Sequence, residues 1–122
     1  MRILVVEDDD QVRVLGEALL EDAGHETLTA ATVEQALALI DAEDRIDLLF
    51  TDLGLGDDVQ AGLALATEAR RRRPDLKVLY TTGQGVTDGM KALFVEPYGF
   101  LAKPYTPDDL RVAIENATAA SL

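Results

Sequence analysis

The sequence predicts a doubly wound α/β fold, a parallel five-stranded sheet with helices on both faces. Three observations lead there. Five short, largely apolar runs alternate with stretches of helical periodicity along the chain. The first run, RILVV, is continuously apolar after Arg2, as in a strand covered on both faces. No linker, low-complexity segment or internal repeat interrupts the alternation, so residues 1–122 read as one domain.

The elements follow in order. Residues 2–6 form the first strand and end in a run of acids. Val12, Leu15, Leu19 and Ala23 fall at helical spacing, and Gly24 follows as a stop. ETLTA (26–30) is a short second strand. Thr32 and Gln35 have the spacing of a capping box, and Ala36, Leu37 and Ile40 give the second helix its apolar face. IDLLFT (46–51) is the third strand, and Leu63, Ala66 and Ala69 mark the third helix. LKVLYT (76–81) is the fourth strand. The next segment carries Gly83, Gly85, Gly89 and Pro97 and predicts a short, weak fourth helix, since each interior glycine costs about 1 kcal/mol relative to alanine. YGFLA (98–102) is the fifth strand. Thr106 caps a last helix, with Pro107 in its first position and Leu110, Ile114 and Ala117 facing inward. Tyr80 and Phe94 read as core residues, and the lone His25 as a surface or half-buried residue.

Composition narrows the function classes. The chain has no cysteine, which excludes disulfides and thiolate metal sites. Its net charge of −12 predicts repulsion from nucleic acid and from anionic membranes. The basic block Arg70–Arg73 precedes Pro74 and reads as cations in solvent at a helix C-terminus. No signal peptide or membrane-length apolar run is visible, so a cytoplasmic protein is expected.

In doubly wound sheets the ligand site lies at the carboxyl ends of the strands. Here those ends carry Glu7, Asp8, Asp9 and Asp10, then Asp52, then Thr82 and Gly83, then Lys103 and Pro104. Asp9 and Asp10 suit a helix N-terminus; Glu7 and Asp8 directly extend a buried strand. Asp57 and Asp58 read as solvated loop acids. Gathered carboxylates repel by roughly 4 kcal/mol per pair at ~4 Å and an effective dielectric of 20, so such a cluster holds a proton or a cation. Oxygen donors without histidine or cysteine select Mg²⁺ or Mn²⁺ over zinc. Lys103 is the second cation required if a phosphoryl group is to sit on Asp52.

With these residues in place, the chain resembles the receiver domain of two-component response regulators. ILVVEDDDQVR is similar to the first strand and acidic pair of that family, LLFTDLGLG to its phosphoacceptor strand, KVLYTTG to its switch strand and GFLAKPY to its lysine–proline turn. The resemblance implies a flavodoxin-like (βα)5 three-layer sandwich with strand order 2-1-3-4-5. It implies that Asp52 accepts a phosphoryl group from a sensor histidine kinase or a histidine phosphotransfer protein. It further implies that Glu7, Asp8, Asp52 and the Gly54 carbonyl hold Mg²⁺ (or Mn²⁺), Asp8 directly and Glu7 through water. Lys103 would pair with the phosphoryl oxygens, Thr82 would turn toward them, and Phe100 would reorient behind Thr82. A cis Lys103–Pro104 bond is also implied. The chain would be a phosphoacceptor that supports its own transfer and dephosphorylation, not an enzyme, with a homodimer possible and no nucleic-acid or membrane partner.

Several residues depart from the family pattern. Gly56 stands where proline is usual, Gly62 falls two residues late, Gly83 replaces alanine or serine, and Phe100 replaces tyrosine. The aromatic-x-Thr-Gly strand end resembles single-domain and hybrid-kinase receivers of alphaproteobacteria. Three alternatives stand beside the main reading: a receiver from a hybrid kinase, a pseudo-receiver binding module, and a phosphatase with an aspartyl nucleophile. Intact Glu7, Asp8, Asp52 and Lys103 count against the second. Gly54, where the phosphatase needs a second acid, counts against the third.

Overall fold

The structure, a computed structural model, describes residues 1–55, 60–83, 94 and 98–119, residue 119 by its backbone alone. The elements are β1 (Arg2–Val6), α1 (Asp10–Asp22), β2 (Glu26–Ala30), α2 (Val33–Ala42), β3 (Leu48–Asp52), α3 (Ala61–Arg72), β4 (Lys77–Thr82), β5 (Gly99–Ala102) and α4 (Pro107–Ala119). All strands are parallel, in the order β2-β1-β3-β4-β5. The expected fold class and strand order are thus observed. The glycine-rich helix expected after β4, with Gly85, Gly89 and Pro97, lies outside the described residues, as do Gly56, Asp57 and Asp58.

The limits of β3, β4 and β5 differ from expectation by one or two residues. β3 starts at Leu48 rather than residue 46. The Asp47 backbone still bonds to Arg2 and Lys77, while its carboxylate takes the Arg2 N–H at 2.8 Å and the Arg45 Nε–H at 3.0 Å. At the other end β3 includes Asp52, whose backbone pairs with Thr81. β4 correspondingly runs one residue further, to Thr82. β5 starts at Gly99 rather than residue 98.

The sheet separates two apolar layers. Leu4, Val6, Leu49, Val78 and Tyr80 pack against α2 and α3, through Ala36, Ile40, Leu63, Ala66 and Ala69. Ile3, Val5, Leu48, Phe50, Leu79 and Leu101 pack against α1 and α4, through Leu20, Leu110, Ile114 and Ala117. The predicted inward residues of the second, third and last helices are therefore confirmed. Tyr80 is fully buried, its ring 4.6 Å from that of Phe94. His25 is half-buried, as expected.

The face of α1 is corrected. Gly16 and Leu20 are buried, Val12 and Leu19 are half-buried, and Leu15 is 55% exposed. Ala23 is exposed as the C-cap. The helix turns its glycine toward Tyr105 and Val5, across a small gap. A Cβ on Gly16 would stand 3.5 Å from the Tyr105 hydroxyl and 3.9 Å from Val5. Apolar periodicity counts Leu15 and overlooks a glycine, so it places the face about one residue off.

The helix ends follow from their caps. The Asp9 carboxylate accepts the N–H groups of Gln11 and Val12 at α1. Thr32 accepts from Gln35 N–H at 3.1 Å, and the Gln35 side chain accepts from Ala31 N–H at 2.9 Å. Thr106 and Asp109 cap each other reciprocally at 3.0 Å, so Asp109 completes a box of which only Thr106 was anticipated. Gly24, with φ of 92°, ends α1 in the left-handed region.

The basic block does more than sit in solvent. Arg73 donates to the carbonyls of Ile40 at 2.9 Å and of Glu43, and Arg72 pairs with Asp41 at 2.7 Å. These arginines fasten the end of α3 to the end of α2 and satisfy carbonyls that a helix terminus leaves open. Among the described residues, no helix is long and apolar enough to cross a membrane.

Candidate phosphoacceptor site

Strand alternation determines what meets at the carboxyl edge. Ile3 and Val5, Leu48 and Phe50, and Leu79 all face α1 and α4. Continuing by twos brings Glu7, Asp52 and Thr81 to that face, and the same count from Leu101 brings Lys103. The Glu7 N–H bonds to the Ala30 carbonyl at 3.1 Å, and the Lys103 N–H bonds to the Thr82 carbonyl at 2.9 Å, so both backbones are anchored in the sheet.

Lys103 Nζ lies 2.6 Å from Asp52 Oδ2 and 2.8 Å from Glu7 Oε2. Asp52 Oδ1 accepts the Gly54 N–H at 3.2 Å. Glu7 Oε1 accepts the Asp9 N–H at 3.2 Å, and the Glu7 carbonyl accepts from Arg13 at 2.9 Å. The Lys103–Pro104 bond is cis, as the resemblance implies. Burial is the largest influence on Glu7 and raises its pKa above the ordinary glutamate value, with Lys103 pulling the other way. Burial opposes the charge on Lys103, yet hydrogen bonds to Asp52 and Glu7 outweigh it and raise its pKa. The result is a lysine held protonated between two acids.

The remaining predicted residues lie around this centre. Asp8 is exposed at the rim, beyond the end of β1. Thr82 is buried at the end of β4, paired with Ala102. Phe100 is 39% exposed, its ring stacked 6.3 Å from Phe94. Gly54 is half-buried, in the turn that follows Asp52. The expected cluster of three carboxylates is corrected to two acids sharing one ammonium. Among the described residues, no three acids or histidines gather at metal-holding spacing.

The donor chemistry fits a hard divalent cation. Glu7, Asp8 and Asp52 carry more negative charge than Lys103 offsets, every donor is oxygen, and Asp8 lies one residue beyond Glu7 at the edge.

Two neighbours, Thr81 and Tyr105, were not singled out from the sequence, and a third, Gly62, was noted only for its place in the loop after Asp52. Thr81, not Thr82, shares the strand register and the face of Asp52. Tyr105 packs its ring 6.1 Å from Phe50 beneath the site. Gly62, in the first turn of α3, donates its N–H to the Leu53 carbonyl at 2.7 Å and lies against the Asp52 backbone. Counting by twos from Leu79 would have found Thr81. The role of Gly62 depends on a contact that no local pattern announces.

A parallel sheet in this order, with an aspartate at the end of its central strand paired to a lysine from the end of the edge strand, defines the receiver class. The chain belongs to the response regulator receiver domain family, whose model matches residues 3–115. It is 34% identical over 113 residues to the alginate biosynthesis transcriptional regulatory protein AlgB of Pseudomonas aeruginosa, covering 92% of this chain and 24% of that protein. It is 34% identical over 116 residues to the nitrogen assimilation regulatory protein NtrX of Azorhizobium caulinodans, covering 94% and 25%. The chain thus spans about a quarter of the length of these relatives. Among solved structures, a CheY-like receiver domain protein from Methanospirillum hungatei superposes with a TM-score of 0.85 at 29% identity, over 97% of this chain and 93% of that one.

Proposed function

We propose that Asp52 accepts a phosphoryl group from a phosphohistidine on a sensor histidine kinase or a histidine phosphotransfer protein, in a Mg²⁺-dependent phosphorelay of the cytoplasm. The observation that carries this reading is the Asp52–Lys103 contact of 2.6 Å, with Glu7 on the same ammonium. An Asp52 oxygen forms the new P–O bond as the P–N bond to the donor imidazole breaks, and that imidazole leaves with the bonding electron pair and takes up a proton. Such transfer depends on alignment and on neutralising charge at the equatorial oxygens. Lys103 supplies one fixed cation. Glu7, Asp8, Asp52 and the Gly54 carbonyl would hold Mg²⁺, which supplies the other. The chain acts as a phosphoacceptor rather than as an enzyme turning over a separate substrate.

The added charge then biases a two-state surface, with Thr82 turning toward the phosphoryl group and Phe100 moving behind it. The donor protein docks on α1. Val14 and Leu15 are 60% and 55% exposed there, forming an apolar patch with Ala18 that starts beside Asp10 and Gln11, within a turn of the acceptor acids. Incubation with acetyl phosphate and Mg²⁺ tests the reading by intact mass. One hydroxylamine-labile phosphoryl adduct is expected, absent in Asp52→Asn and in chelator. Labelling that survives in Asp52→Asn, or no labelling of the wild type, would overturn it.

A further inference from the structure

A small cavity lies directly beneath the acceptor site, on the α1/α4 side of the sheet. Its walls include Val5, Glu7, Gly16, Phe50, Thr81 and Tyr105, and its volume is about 10 Å³, the room that one water centre needs. Thr81 is 4% exposed, and its Oγ1 has no hydrogen-bond partner among the described residues. Native interiors rarely leave such a hydroxyl unsatisfied. The second polar wall is the Tyr105 hydroxyl. It lies 3.5 Å from where a Cβ on Gly16 would stand, and Gly16 itself borders the cavity. The third is Glu7, whose carboxylate already receives Lys103 and Asp9 but retains lone pairs.

We propose that this cavity is a binding site for one ordered water, held by the Thr81 and Tyr105 hydroxyls and by Glu7. Two features set it apart from a packing gap. An empty cavity is stable when its lining is apolar, whereas a site with two to four polar partners retains its water. The cavity also exists because residue 16 has no side chain, so the space and the polar groups occur together. The water joins the buried acid of the site to the segment after Lys103, where Tyr105 packs on Phe50. It is independent of whether Asp52 is phosphorylated, and its test uses neither metal nor phosphodonor.

The test combines a crystal structure of the wild type, at a resolution that shows ordered water, with denaturant unfolding of Thr81→Val, Thr81→Ser, Tyr105→Phe and the Thr81→Val/Tyr105→Phe double variant. The expected structure has one water within hydrogen-bond distance of Thr81 Oγ1 and the Tyr105 hydroxyl. Thr81→Val, nearly isosteric, should lower the folding equilibrium constant about tenfold, because it strips the water of a partner. Thr81→Ser, which keeps the hydroxyl, should lose less. The double variant should lose less than the product of the single losses, because both act through the same water. A dry cavity in the crystal would overturn the proposal. So would a Thr81→Val variant as stable as the wild type or more so, the result expected if the hydroxyl has no partner to lose.

Discussion

The backbone carbonyl of Asp52 leaves no room for a side chain at residue 62. A Cβ on Gly62 would lie 1.8 Å from that oxygen and 2.8 Å from the Asp52 carbonyl carbon and Leu53 Cα. The first turn of α3 is pressed against the strand end that carries the acceptor, and the 2.7 Å bond from Gly62 N–H to the Leu53 carbonyl holds it there. Gly62→Ala is therefore expected to cost about 3 kcal/mol or to displace the Asp52 turn. The comparison is Gly24→Ala, where space is open and only the φ of 92° opposes a side chain, at a cost of about 1 kcal/mol. Denaturant unfolding of the two variants checks the order; equal losses would contradict it.

Much of this was legible in the sequence. The runs ending at Val6, Asp52, Thr82 and Ala102 alternate with helical stretches, and that pattern leads to the doubly wound sheet. The placement of Glu7, Asp52 and Lys103 follows from the sheet rule and from two-residue alternation. What could not be read depends on contacts distant in sequence. The face of α1 is set by Gly16 against Tyr105, the use of the arginine block by carbonyls about 30 residues away, and the position of Gly62 by the Asp52 backbone. The carboxylate cluster was overcounted because strand-end logic places Glu7 and Asp8 together, whereas alternation sends only Glu7 inward.

Lys103 should matter to transfer more than to labelling position. With Nζ 2.6 Å from Asp52 and 2.8 Å from Glu7, it is the one cation fixed at the acceptor among the described residues. Lys103→Met is expected to slow acetyl-phosphate labelling about tenfold or more while leaving any adduct on Asp52. Intact-mass time courses check this. An unchanged rate would remove Lys103 from the mechanism.

Glu7 gives a pH dependence with a defined sign. Its folded pKa is raised above 4.5, chiefly by burial, so between the unfolded and folded pKa the native state binds a proton that the unfolded chain has released. Its contribution to stability is fully present below pH 4.5 and is lost as pH rises through the folded pKa. Glu7→Gln, which removes the charge but keeps the shape, should therefore be more stable than the wild type at neutral pH. That advantage should shrink on acidification toward pH 4.5. Unfolding measured across this range in chelator checks it, and an advantage that grows on acidification would contradict it.

The exposed pair on α1 separates docking from chemistry. Val14→Ser and Leu15→Ser remove apolar surface that contributes little to the core, their side chains being mostly in solvent. Each is expected to change stability by less than about 0.5 kcal/mol and to leave acetyl-phosphate labelling unchanged. Transfer from a phosphorylated histidine protein that labels the wild type should slow several-fold. Equal slowing with both donors would place the defect in the site rather than in docking.

Borohydride trapping locates the phosphoryl group on Asp52 itself. After incubation with acetyl phosphate and Mg²⁺, borohydride reduces an acyl phosphate to the alcohol, converting the labelled aspartate to homoserine, which peptide mass spectrometry locates. Homoserine is expected at residue 52 and at no other acid, and is lost in chelator. Homoserine at Asp8 or Glu7's homologous alcohol at residue 7, with residue 52 unmodified, would contradict it.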